Sequence, residues 1–320
     1  MKQIVQCVPN FSEGRDLEKI HRITEPLKHH DAFKCISIES DKDYNRTVVT
    51  LLGDPAAMIE PLLAFFGLAE KLIDMNIHQG EHSRMGAVDV VPFIPISDIN
   101  MEACVAYAKD LGKQVSKLFD VPVYLYAKAA KDASRENLPD IRKGEFEGMK
   151  EKIKDPFWIP DYGKAEVHPT FGVVAMGARM PLIAYNIDLD TTDEKIANQI
   201  AKAIRKSSGG FQHVQAGPVF LKERGHVQVT MNILDYKKNP MYRIFETVVS
   251  EAKRYHVQVT GSEVVGLIPM EALSETLNYY QSVHQKEISK DMNLKQIAEQ
   301  AIKYLMLRDF DELKIIEANL

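Results

Sequence analysis

Apolar residues switch between a period of two and a period of about 3.6 across the stretch from Ile4 to Ala127, and this restricts the chain to a layered α/β architecture. Ile4-Val5-Gln6-Cys7-Val8 alternates and predicts an opening strand. Asp16 to His29 sets Leu17, Ile20, Ile23 and Leu27 at helical spacing, interrupted by Pro26. Lys34 to Ser40 and Arg46 to Gly53 read as strands. Gly53-Asp54-Pro55 opens a helix, since the N–H that proline lacks would be unpaired at the first helical position anyway. Met58, Leu62, Phe65, Phe66, Ala69, Leu72 and Ile73 carry that helix, which fades near Met75. A strand Val88–Pro95, a helix Met101–Phe119 and a strand Val121–Ala127 follow.

Ala130 to Val167 breaks the rhythm with proline, glycine and charge, and predicts ordered but irregular loops of the kind that bind ligands. The only tryptophan, Trp158, argues for a packed loop over a linker. A second alternating series starts at Gly172-Val173-Val174-Ala175 and Leu182–Leu189. The helix Asp193–Lys206, strands Pro218–Leu221 and Val227–Ile233, the helix Pro240–Tyr255, and short strands Val257–Val259 and Val264–Ile268 continue it. Two βαββα-type passes predict an α/β (α+β) fold of two duplicated ferredoxin-like subdomains, with mixed sheets covered by helices. The expected divisions are 1–179, 180–285 and an amphipathic helical tail, 286–320, with Leu294, Ile297, Ala301 and Leu305 on its apolar stripe.

Composition removes several classes of function. Net charge is −5, from 40 basic and 45 acidic residues without a basic tract, which argues against a nucleic-acid partner. The longest apolar stretches, Pro61–Ala69 and Val88–Ile96, are too short to span a bilayer, so no membrane partner is expected. The N-terminus reaches the polar Asn10 too early for a signal peptide. Cys7, Cys35 and Cys104 cannot all pair and show no C-x-x-C spacing, which fits a reduced, cytoplasmic setting.

The densest chemistry is His78-Gln79-Gly80-Glu81-His82-Ser83-Arg84-Met85-Gly86, between the helix that fades near Met75 and the strand that opens at Val88. On a helix, His78 and His82 around Glu81 would form an H-x-x-E-H zinc pair and imply a hydrolase. Gly80 would sit in the second turn at a cost of about 1 kcal/mol against alanine. In a loop beyond the helix end, the same spacing fixes no shared face, and the histidines are free for acid–base work.

This run and its continuation to Pro95 resemble the glutamate formimidoyltransferase family, in its monofunctional form. Further matches are Val8-Pro9-Asn10-Phe11-Ser12-Glu13-Gly14-Arg15, Asp41 to Val48, Leu138-Pro139-Asp140-Ile141-Arg142 and Pro160-Asp161-Tyr162-Gly163. Gly177-Ala178-Arg179, Leu182 to Ile187 and Gly261 to Pro269 continue them in family order, so the resemblance spans Met1 to about Ala272. Ser83 stands where relatives often carry proline, and Tyr162 where phenylalanine is common. Neither departure removes a titratable group.

The resemblance implies transfer of a formimidoyl group from N-formimidoyl-L-glutamate to N5 of tetrahydrofolate, in histidine degradation. It also implies a homodimer, a site between two subdomains, and no metal. The family's catalytic histidine falls on His82, which would take the N5 proton and return one to the leaving glutamate nitrogen. The folate stretch falls on Gly163-Lys164-Ala165-Glu166-Val167-His168-Pro169-Thr170-Phe171-Gly172. Asp41, Asp43 and Glu81 are candidates to steady the cationic amidinium; Arg46, Arg84 and Arg179, with Arg15, are candidates for the carboxylates of substrate and folate. Glutamate formyl transfer linked to 5-formyltetrahydrofolate uses the same N5 and stays open beside the zinc hydrolase reading.

Overall fold

The computed structural model describes residues 3–222, 224–284 and 292–320, so the predicted start of the tail at 286–291 lies outside the described residues. The chain divides into two compact units, Met1–Arg179 and Met180–Leu320.

In the first unit, β1 (Ile4–Cys7) and β2 (Asn10–Phe11) form one interrupted opening strand. Helix α1 (Leu17–Thr24) is capped by Asp16, whose carboxylate accepts from the backbone N–H groups of Glu18 and Lys19. It is shorter than its apolar spacing predicts: Pro26 sits in a separate 3-10 turn, Glu25–Leu27, since proline has no N–H to continue the helix. Then come β3 (Phe33–Asp41), β4 (Arg46–Gly53), α2 (Pro55–Leu72), β5 (Val88–Ser97), α3 (Met101–Phe119) and β6 (Val123–Ala127). Two short helices, α4 (Leu138–Arg142) and α5 (Glu145–Lys152), and β7 (Val174–Ala178) complete the unit.

Strand pairing gives β3–β4–(β1 and β2)–β5, all antiparallel. The first strand therefore lies between the third and fourth, the arrangement of a split βαβ fold. Strands β7 and β6 then extend the sheet in parallel beyond β5. Val174–Ala178 thus belongs to the first sheet and does not open the second series. A parallel strand buried on both faces is a continuous apolar run, which carries no mark of the sheet it joins.

Helices α1, α2 and α3 bury Ile23, Leu62, Phe65, Phe66 and Leu111 against Phe11, Val49, Leu51 and Phe93 on one face. A smaller cluster on other side chains of β6 and β7 packs Tyr124 and Tyr126 with Ile141 of α4 and Met149 of α5. Ala130–Val167 is therefore partly helical. At five and eight residues, α4 and α5 are too short to display a period. Trp158 packs against this second cluster, as a half-buried ring with Lys152 Nζ 3.9 Å from its centroid.

The second unit runs β8 (Ile183–Leu189), α6 (Glu194–Ile204), β9 (Val214–Leu221), β10 (His226–Ile233), α7 (Met241–Arg254), β11 (Val259–Val265), α8 (Met270–His284) and α9 (Leu294–Leu305). Its sheet order, β11–β8–β10–β9, repeats the antiparallel pattern of the first unit. Strand β9 is longer than predicted, with Pro218 inside it; an edge strand tolerates the missing donor. The two predicted short strands near its end are one strand, β11, bent by a bulge between Val259 and Gly261. Helix α9 opens with a capping box of Asn293 and Gln296 and buries Ile297, Ala298, Ala301 and Leu305 in the core of its own unit. Tyr304 stacks on Tyr280 of α8 with centroids 4.7 Å apart. Among the described residues, no helix is long and apolar enough to cross a membrane.

Candidate active site

Three loops of the first unit lock together through backbone contacts. Asn45, held at φ 47°, accepts from Gly14 N at 2.9 Å and donates to the Gln79 carbonyl at 2.9 Å. Glu81 N donates to the Asp43 carbonyl at 3.1 Å, and Ser12 Oγ donates to the Gly86 carbonyl at 2.8 Å. A Cβ on Gly80 would lie 2.3 Å from the Tyr44 carbonyl, so only glycine lets these loops meet. The segments Asn10–Arg15, Asp41–Arg46 and His78–Gly86 thus converge from three parts of the sequence.

The two histidines have different surroundings. His78 is buried, with Nε2 on the Asn45 carbonyl at 2.8 Å and Nδ1 accepting from Arg84 Nε at 3.3 Å. Both ring nitrogens are engaged, so His78 offers no lone pair for a zinc pair with His82, and the run is a loop, not a helix. His82 Nδ1 lies 2.7 Å from the Ser83 carbonyl. Arg46 Nη1 lies against the same ring, 2.7 Å from Nδ1 and 3.0 Å from Nε2, and the tautomer that donates from Nδ1 to Ser83 leaves Nε2 as the acceptor. Tyr44 meets the imidazole edge-on at 5.7 Å.

Behind Arg46 stands a network built from four elements. Asn10 of β2 lies on the opposite side of the strand from core residue Phe11, and its Oδ1 accepts from Arg46 Nε and Nη2 at 3.0 and 2.5 Å. Asp89 is the extra residue of a bulge in β5, where Asn10 and Phe11 pair with Val90 and Val88. The bulge re-aims its carboxylate, which lies 2.5 Å from Arg142 Nη2 of α4 and 3.5 Å from Arg46 Nη1. Met85 N fixes the other carboxylate oxygen at 3.0 Å. Sequence reasoning singled out His82 and Arg46 but not Asn10, Asp89 or Arg142. Asp89 is the single charged residue in a largely apolar strand, and the bulge that turns it depends on the pairing partner.

The electrostatics follow from this packing. Burial, then Arg46 and Arg142, push the His82 imidazole down to about 3, so it is neutral near pH 7. Burial alone would raise the Asp89 carboxyl; Arg142 and Arg46 outweigh it and hold the group below its usual range. Burial, then repulsion from Arg142, lowers Arg46 to about 10.

The remaining candidates sit elsewhere. Asp41, the last residue of β3, and the loop residues Asp43 and Glu81 are exposed, and Asp41 accepts from Tyr44 N at 2.8 Å. Arg84 donates to Glu145 and Glu147 at 2.7 Å each and ties α5 to the loop. Arg15 donates to the Lys42 carbonyl at 2.8 Å. Arg179 is lowered by burial, which its hydrogen bond to Tyr126 partly offsets. In the run Gly163–Gly172, residues Gly163 to Glu166 are exposed. His168 Nδ1 accepts from Phe171 N at 3.0 Å in a tight turn. Gly172, at φ 86°, packs where a Cβ would lie 2.3 Å from the Met85 carbonyl, so its close approach is to the His82 loop itself.

The model of the formiminotransferase domain, N-terminal subdomain, matches residues 4–179, and that of the formiminotransferase domain matches 184–319. The chain belongs to the formiminotransferase family. It is 43% identical over 292 residues to a glutamate formimidoyltransferase of Streptococcus pyogenes serotype M1, covering 91% of this chain and 98% of that protein. A glutamate formimidoyltransferase of Thermoplasma acidophilum is 44% identical, over 87% of this chain and 92% of its own length. A formimidoyltransferase-cyclodeaminase of Mus musculus is 40% identical over 88% of this chain, which spans 53% of that longer protein. The whole network around His82 lies in the part matched to the family's N-terminal subdomain.

Proposed function

We propose that this chain transfers the formimidoyl group of N-formimidoyl-L-glutamate to N5 of tetrahydrofolate, releasing glutamate. Family membership supplies the reaction class; the neutral imidazole of His82, pinned between Ser83 and Arg46, is the observation that carries the residue assignment. N5 attacks the amidine carbon while its proton passes to Nε2 of His82, which gives up its contact with Arg46 Nη1 as the proton arrives. The carbon–nitrogen bond to glutamate then breaks as that nitrogen takes the proton, which returns the histidine to its neutral form. In this reading Asp89 holds Arg46 and Arg142 in place behind the base, and Gly163–Gly172 contributes to folate binding from beside the His82 loop. The domain roles are those of the two family subdomains, with α9 part of the second. The protein acts in the cytoplasm as a homodimer without a metal.

The deciding assay is turnover of N-formimidoylglutamate with tetrahydrofolate. His82→Ala should lower kcat by about 10²–10⁴-fold while folate still raises the melting temperature. Retention of a third of wild-type turnover would remove His82 from the mechanism. His78→Ala acts through loop packing, and its kcat loss should be far smaller than its loss of stability. Light scattering at micromolar concentration checks the homodimer, and a monomer mass would refute it.

A further inference from the structure

We propose that Arg142 and Arg46 together form the receptor for the α-carboxylate of the formimidoyl donor, so that Arg142 is a specificity-determining residue. The inference rests on the reaction proposed above and goes beyond it by assigning the donor's anchor. Two guanidiniums share one carboxylate: Asp89 lies 2.5 Å from Arg142 and 3.5 Å from Arg46. Among the described residues, the hydrogen bonds of Arg46 go to neutral acceptors, Asn10 Oδ1 and the His82 ring. Arg142 holds Asp89 through Nη2, while its buried Nε finds no acceptor among the described residues. The site therefore holds a surplus buried cation and an unused guanidinium N–H, the two features that recruit a carboxylate. Each arginine side chain is only 13–14% exposed, so water satisfies little of that charge.

The donor's chemistry selects the α-carboxylate. The transferred group sits on the nitrogen of Cα, so the α-carboxylate carbon is two bonds from the nitrogen that must be protonated. A donor whose nitrogen reaches His82 necessarily brings this carboxylate within a few ångströms of the same ring, where Arg46 already lies. The γ-carboxylate, on its flexible chain, has no such constraint. Binding would also arm the base. Burial is the main reason that the imidazole is neutral, and the two arginines add to it; their share of the field weakens once an anion sits beside them, so proton affinity at Nε2 rises when the donor is present.

The test compares N-formimidoyl-L-glutamate with N-formimidoyl-4-aminobutyrate, which lacks the α-carboxylate, in wild type and Arg142→Met. Wild type should prefer the glutamate donor. R142M should lose about 10²–10³-fold in kcat/KM on that donor, mostly in KM, so that the preference collapses. An equal loss on both donors would mark Arg142 as a merely structural residue and overturn the proposal, as would an unchanged preference. If R142M does not fold, Arg142→Lys serves, keeping the charge without the fork and losing most of the preference. A second readout needs no turnover: saturating L-glutamate should raise the His82 NMR titration midpoint in wild type, and 4-aminobutyrate should not. Failure of wild type to use N-formimidoylglutamate would refute the proposed reaction, while the glutamate-induced shift would still decide the carboxylate site.

Discussion

His82→Gln should make the first unit less sensitive to acid, by an amount set by the burial of one ring. In the unfolded chain His82 titrates at its ordinary value of 6.5; in the folded chain, burial and the arginines hold it down to about 3. Between those values the unfolded state binds a proton that the folded state refuses, so this group makes stability rise with pH across the window. At pH 5 the chain is 1.5 units below the unfolded value, worth about 2 kcal/mol; at pH 7.5 the contribution is close to zero. The figure changes little with the folded value, because pH 5 lies well above it. Glutamine removes the titration while keeping a polar side chain beside Arg46. Wild type should therefore lose about 2 kcal/mol more than H82Q between pH 7.5 and pH 5, roughly 1 M in urea midpoint. Other titrating groups cancel in the difference. Trp158, the only tryptophan, lies in the first unit, so its fluorescence follows that unit's unfolding. Losses equal within about 0.5 kcal/mol would mean that His82 titrates normally in the folded chain, which would refute the reading of a desolvated base held among arginines.

Asp89→Asn leaves two buried guanidiniums without a carboxylate and should cost about 3–5 kcal/mol at pH 7, measured by urea unfolding. Because the folded Asp89 titrates below its ordinary value of 3.8, that deficit is complete above this value and should narrow as pH falls through the depressed folded value. Arg135→Met removes a buried ion pair with Asp161 and two bonds to the carbonyls of Phe157 and Ile159, at 2.9 and 2.7 Å. It should cost about 3–5 kcal/mol and shift Trp158 emission to the red as the loop loosens; a variant within about 1 kcal/mol of wild type would refute the clamp.

The strands and long helices were legible because burial on one face writes a period into the sequence. Leu62, Phe65, Phe66 and Ala69 of α2 repeat often enough to be read, and they are the residues that the core buries. What escaped was structure set by partners. Val174–Ala178 takes its sheet from β5 and β6, and α4 owes its place to Ile141, the one residue of its short span that is buried. The site divides in the same way. His82 and Arg46 lie in dense polar motifs and could be picked out as chemistry. Asp41, Asp43 and Glu81 lie in the same motifs but point outward, and type and spacing alone do not separate a capping carboxylate from a working one. Asp89 works because a bulge turns it, and Arg142 because a five-residue helix ends beside it; neither fact has a local signature.

The two units carry the same strand order, and comparing them isolates what is particular to the first. Asn10 on the opening strand pairs with Val48, two residues past Arg46; Asp188 on the opening strand of the second unit pairs with Gln228, two residues past His226. Arg46 and His226 therefore occupy equivalent positions, and each reaches the polar residue of the neighbouring strand, His226 at 3.3 Å from Asp188. The charge balance differs. In the second unit, Asp188 and Glu263 are both met by Arg308, with Arg224 3.6 Å from Glu263. Arg308 is delivered by the segment after α9, where Ser262 N donates to the Met306 carbonyl and Arg308 N donates to the Ser262 carbonyl. Among the described residues, two carboxylates face two guanidiniums there. In the first unit one carboxylate faces two guanidiniums beside a neutral imidazole. Duplication supplies the polar position on the paired central strands; among the described residues the first unit's cluster has no second carboxylate, and that is the charge which the proposed binding of the donor's α-carboxylate would supply.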